Sequence, residues 1–213
     1  LGLNSKLIKE NGKVIEKVWK LGGMYNDEIK NIIYWLSKAS GVAENEKQKI
    51  GFELLIKYYQ TGDLTIWDEY NIAWVETIEG DVDYINGFIE VYNDPMGYRG
   101  SYESVVQIKD FEMSKKMDAV SNNAQWFEDN SPIFDEHKKK NVVGISYNTV
   151  NVASEAGDSS PSTPIGVNLP NANWIRVEHG SKSISLGNIL YAYGNAGISG
   201  RVDEFAYSKK EIE

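Results

Sequence analysis

The chain has 213 residues, of which 41% are hydrophobic, 25% charged and 12% aromatic, with 19 Gly, 5 Pro and no Cys. Such values belong to a globular protein and exclude disorder, a collagen-like repeat, a disulfide framework and a cysteine-based zinc site. Lys and Arg total 22 against 31 Asp and Glu, a formal charge of -9 that repels phosphate backbones and anionic lipid and so argues against nucleic acid and membrane partners. No apolar run approaches the roughly 20 residues of a membrane span, and the opening residues LGLNSKLIKENGK lack the apolar core of a signal peptide. The expected location is therefore cytoplasmic. A start without Met and an end inside the helix-like SKKEIE read as a fragment of a longer protein.

Residues 1–80 read as a helical subdomain. Leu7, Ile8, Val14, Ile15, Val18 and Trp19 recur at helical spacing, although Gly12 weakens that segment. Asn26 reads as the cap of a second helix whose stripe is Ile29, Ile32, Ile33 and Leu36, ending before Gly41. A third is expected from about Glu44 to Tyr59, with Ile50, Leu54, Leu55 and Tyr58 on one face; Thr61-Gly62-Asp63 stops it and caps a fourth carrying Trp67, Trp74 and Val75. From Asp81 the period changes to two. VDYINGFIEVY and SYESVVQIK read as strands of a hairpin around the turn chemistry of NDPMGYRG. A helix is expected from about Phe111 to Glu128, then a charged loop, then the strand VVGISYNTVNVA and a loop SEAGDSSPSTP. Short strands are expected at 166–169, 174–178 and 183–190, and a terminal helix from Arg201. The fold class is α+β: a helical start, then, over residues 81–213, an antiparallel barrel-like or strongly curved sheet with inserted helices.

Few residues are placed for simple catalysis. There is no Gly-x-Ser-x-Gly elbow and no Gly-rich phosphate loop, and His137 and His179 lie in no metal-ligand spacing. His137 reads as a solvated surface residue and His179, before Gly180, as a structural one. In an extended segment Phe88, Glu90 and Tyr92 share a face, setting a carboxylate beside a phenol; such a face holds a cation and donates to an oxyanion, or pairs its Glu with a Lys or Arg. Asn168-Leu169-Pro170-Asn171 fixes two amides around a proline, suited either to gripping a peptide's backbone and terminal ammonium or to stabilising a turn. Arg99 and Glu103 read as a local ion pair or turn contacts.

These residues carry a resemblance. YINGFIEVYNDPMGYRGSYESVV and IGVNLPNANWIR followed by GSKSISLGNIL resemble two blocks of the dipeptidyl peptidase III metallopeptidases, in the same order. Gly87 to Glu90, Tyr92, Asp94, Pro95, Gly97, Arg99, Gly100 and Glu103 match the first; Gly166, Asn168, Pro170, Asn171, Arg176, Gly180, Lys182, Ser185, Leu186, Gly187 and Asn188 match the second. The resemblance implies the substrate-binding lobe of a two-lobed exopeptidase that removes dipeptides from the N-termini of short peptides, with the other lobe carrying the zinc. It assigns Tyr92 to the oxyanion as donor, and Glu90, Asn168 and Asn171, with Glu103 beside them, to substrate binding at the terminal ammonium. The family's histidine and glutamate zinc motif does not occur in these 213 residues, so no cofactor is expected in this chain, zinc is expected in the parent protein, and the chain alone is expected to be inactive. The competing reading is a non-catalytic module whose aromatic-rich sheet binds peptides or glycans.

Overall fold

The computed structural model describes residues 1–142, 145–160 and 163–195, with 145–148 described by backbone alone. The first apolar segment is a hairpin of β1 (Ser5–Glu10) and β2 (Lys13–Val18), where its spacing suggested a helix. Asn11 at φ 49 and Gly12 at φ 78 give the two left-handed positions of a two-residue turn, and that local signal overrides a weak helical period. Trp19, at the hairpin's end, lays its ring against Phe88 with centroids 4.7 Å apart.

Three helices follow: α1 (Asn26–Ser40), α2 (Glu46–Thr61) and α3 (Leu64–Glu76). The cap position of α1 is Tyr25 at φ 60, and Asn26 instead accepts from the Gly22 N–H at 2.7 Å. Asn45 and Asp63 cap α2 and α3 by accepting the Gln48 and Thr65 N–H groups, and Gly62 at φ 72 ends α2, as Thr61-Gly62-Asp63 predicts. Leu55, Tyr58 and Tyr59 of α2 are fully buried, and Phe52 stacks on Tyr84 at 4.3 Å.

The sheet has five strands: β3 (Val82–Phe88), β4 (Tyr102–Lys109), β5 (Ile145–Gly157), β6 (Gly166–Leu169) and β7 (Ser181–Leu186), in spatial order β3-β4-β5-β7-β6. β3 and β4 form the expected hairpin. β5 runs into the serine-rich stretch that reads as loop, and the helix expected over 111–128 breaks at Asn123 into α4 (Phe111–Asn122) and α5 (Ala124–Asp129). The strand expected at 174–178 is the helix α6 (Asn173–Glu178), which buries only Ile175 and so gains nothing from alternation. The last expected strand ends at Leu186, where α7 (Gly187–Asn195) begins; the expected helix from Arg201 lies outside the described residues.

The α+β class holds, but among the described residues the sheet is mixed and open, not a closed antiparallel barrel. β7 returns through the β6–α6 crossover and pairs parallel to β5, and β6 then turns back antiparallel on its far side. The sheet also curls strongly. Three strand steps separate β3 from β7, about 14 Å in a flat sheet, yet Lys182 Nζ of β7 lies 2.8 Å from Asp83 Oδ2 of β3. Curling brings the end of β6 towards the end of β3. α3 packs against β3 so closely that a Cβ on Gly87 would fall 2.4 Å from the Trp67 ring. Gly87→Ala should therefore destabilise the fold by about 1–3 kcal/mol, read as a lower midpoint in urea with an unchanged slope.

Candidate functional site

Backbone pairing of the hairpin continues past Phe88: the Ile89 N–H donates to Ser101 O and the Ser101 N–H to Glu90 O, at 3.0 and 2.8 Å. This extension fixes Glu90 at the mouth of the curl. From the other edge, Pro170 closes β6 and Asn171 Nδ2 donates to Glu90 Oε1 at 3.1 Å. Two residues 81 positions apart in sequence thus meet. The Glu90 N–H donates to Glu103 Oε1 at 3.2 Å, which brings a second carboxylate to the first. Tyr92 lies in the turn beyond, 83% exposed, and its phenol is pushed up by the charge of the Glu90 carboxylate and its contact with it.

Glu90, Tyr92, Glu103 and Asn171 are therefore brought together, whereas Asn168 is not part of the Asn171–Glu90 contact. Asn168 is exposed on β6 opposite Ser183, and among the described residues its side chain forms no hydrogen bond. Glu90 finds an amide and a phenol, not the Lys or Arg of the alternative reading. Arg99 does not pair with Glu103. It lies 3.9 Å from Asp94, whose carboxylate is held below its usual range by the Arg99 and Tyr98 N–H groups. His137 is exposed, and His179 Nδ1 lies 4.0 Å from Glu76.

Sequence reasoning missed three features. Asp158 accepts from Asn93 Nδ2 at 3.0 and 3.2 Å and adds a third acidic group near Glu103; no local motif announces it. A cavity of ≈ 420 Å³ is walled by Trp67, Tyr70, Trp74, Ile85, Ile89 and Leu169, with Glu90 and Asn171 completing its wall. Its tryptophans read as core in the sequence and are in fact both core and cavity wall. The third is the burial of Lys182, matched by type alone in the second block: it is 3% exposed among apolar groups. Among the described residues no group of three or more His, Cys, Asp and Glu is placed to hold a metal ion. The donors among these residues do not fit zinc.

The arrangement can bind a cation and donate a hydrogen bond beside it. The Glu90 carboxylate and the Asn171 amide stand at the wall of an apolar cavity, Glu103 accepts from the Glu90 N–H beside them, and the exposed Tyr92 phenol lies against Glu90.

The comparisons with known proteins fit this geometry. The sequence profile of peptidase family M49 matches residues 4–204. The chain belongs to peptidase family M49. It is 29% identical over 171 residues to dipeptidyl peptidase 3 of Nematostella vectensis, covering 80% of this chain and 23% of that protein. To dipeptidyl peptidase 3 of Dictyostelium discoideum it is 29% identical over 170 residues, 80% of this chain and 24% of that protein. The structure of DPP III from Caldithrix abyssi superposes with a TM-score of 0.84 at 22% identity over 99% of this chain and 40% of that one, a likeness of fold. This M49 chain thus spans about a quarter of the length of the curated relatives it matches, and no described helix is long and apolar enough to cross a membrane.

The acidic cluster sets a pH dependence. Burial, and then the charge of Glu90, push the Glu103 carboxyl up to about 7, against the pull of the Glu90 N–H. The folded protein thus keeps a proton that the unfolded chain releases near the ordinary 4.5. Stability from this group is complete below that value and is lost as pH rises through about 7. Denaturant unfolding at several pH values should show this fall, and Glu103→Gln should flatten it.

Proposed function

We propose that this M49 chain forms the peptide-binding part of a cytoplasmic, zinc-dependent dipeptidyl peptidase that removes dipeptides from the free N-termini of short peptides. The Glu90–Asn171 contact carries the reading. An exopeptidase fixes its register by holding the chain end, and a terminal ammonium is answered by a carboxylate, an amide oxygen and a further carboxylate at Glu103. The exposed Asn168 stands on β6, three residues before Asn171, to hold the peptide's backbone near that end. β6 is the last strand of the sheet, and among the described residues its outer edge pairs with no other strand, so an extended peptide can add there as a sixth strand. The apolar cavity under the grip suits an apolar side chain near the peptide's amino end.

Tyr92 is the donor to the developing oxyanion. Its phenol is exposed and, protonated at neutral pH like any tyrosine and held further from ionisation by the Glu90 charge, has a hydrogen to give where charge appears. The zinc chemistry that activates water belongs to a second lobe of the same protein, the partner of residues 1–80 and 81–213 taken together. Without that lobe the chain binds peptides but does not cleave them.

Two substitutions in the peptidase that carries this chain test the reading. Tyr92→Phe should lower kcat on a dipeptidyl arylamide by about 100-fold with KM little changed, since a donor used mainly in the transition state is lost; an unchanged kcat with a raised KM would remove Tyr92 from the chemistry. Asn171→Ala should weaken binding of peptides with a free N-terminus by about tenfold and leave acetylated peptides unaffected. Equal losses for both, measured by calorimetry, would reduce Asn171 to a turn residue.

A further inference from the structure

The residue pattern of β7 breaks its own rule at one place. Along Ser181-Lys182-Ser183-Ile184-Ser185-Leu186 the even positions are buried, and Lys182 stands at the first of them, on the face it shares with Ile184 and Leu186. An isolated ammonium in such a setting is costly, so its partners should be specific. Lys182 Nζ lies 2.8 Å from Asp83 Oδ2 and 4.2 Å above the Trp74 ring. The other oxygen of Asp83 accepts from Trp74 Nε1 at 3.0 Å and from the Tyr84 N–H at 2.8 Å, and the same indole N–H also reaches Tyr84 O at 2.9 Å. Carboxylate, ring and ammonium are thus held from three elements, β3, α3 and β7.

What this knot joins is the point. Lys182 pairs directly across the ladder with Leu169, two residues before Asn171. Asp83 lies on β3, the strand that leads into Glu90. The ion pair therefore spans from the strand carrying Asn171's support to the strand carrying Glu90, across the open side of the curl where no backbone ladder links β3 to β6 or β7. Among the described residues it is the charged tie across that gap, its ammonium buried and its carboxylate 28% exposed. A buried ion pair is seldom needed for stability, because apolar groups of like volume often serve as well, but it fixes geometry through its direction and length.

We infer that Lys182, through its ion pair with Asp83, is a positioning residue for the amino-terminal grip: it sets the separation of Asn171 from Glu90 and so the fit to a peptide's ammonium. This inference rests on the proposed peptide-binding function. The test replaces both charges at once, Lys182→Met with Asp83→Asn, which keeps an acceptor for Trp74 and Tyr84 and leaves no charge unpaired. In the peptidase that carries this chain, calorimetry with one tetrapeptide, free and N-acetylated, gives the ratio of affinities, and thermal unfolding reports the fold.

The double variant should melt close to the wild type yet show about a tenfold smaller preference for the free N-terminus, with affinity for the acetylated peptide unchanged. A folded double variant with the wild-type preference overturns the inference. Should the double variant not fold, Lys182→Arg decides: it keeps the pair at a different length and should weaken the preference about threefold, and no change overturns the inference. Absence of any preference in the wild type would instead overturn the peptide-terminus reading itself, so the two failures are distinguishable.

Discussion

The edges of an open sheet do not ordinarily meet, and the candidate site exists because these two do. β3 and β6 share no hydrogen-bonded ladder, but the curl between them brings Asn171 to Glu90 and Lys182 to Asp83. A closed barrel would have filled that gap with backbone hydrogen bonds and left no side chains free to face a ligand. A flatter sheet would have left the two half-sites many ångströms apart. The curl is supported by α3, whose Trp67 fills the space that Gly87 leaves open and whose Trp67 and Trp74 line the cavity.

Charge makes the site directional. The chain as a whole carries -9, but the local arrangement does more than this general field. Burial, with the Glu90 charge added to it, keeps Glu103 protonated towards the neutral range, and the same Glu90 charge opposes ionisation of the Tyr92 phenol. One carboxylate thus favours the neutral form of both neighbours, one able to gain charge when a cation arrives and the other able to donate. The binding of a cation should ease both shifts in the part that the Glu90 charge contributes, while the part that burial contributes at Glu103 remains.

Much of this was legible residue by residue, and little of it pair by pair. The Gly62-Asp63 stop and cap reads from sequence because capping is local chemistry, and so does the β3–β4 hairpin. The Asn11-Gly12 turn is as local, but the apolar positions around it also fit a helical period, and the period masked the turn. Glu90, Tyr92 and Asn171 stood out by type and motif, yet their meeting depends on curvature that no window of sequence contains. Lys182 shares its parity with Ile184 and Leu186, which marks it as buried, while its partner lies 99 positions away. Asp158 has no signal at all: it matters only through Asn93 and Glu103.

β6 is four residues long and ends against a proline. An unpaired strand edge is a standing invitation to aggregation, because it offers its N–H and C=O groups to any extended chain. Here the invitation is short: the alternating ladder gives a newcomer only a few bonds before Pro170, which has no N–H, closes it. The same brevity that keeps the edge from seeding stacks of its own kind also leaves too little backbone to hold a stranger by itself. Recognition must then be completed by side chains at one end, so the sheet can remain open to solvent and still be selective.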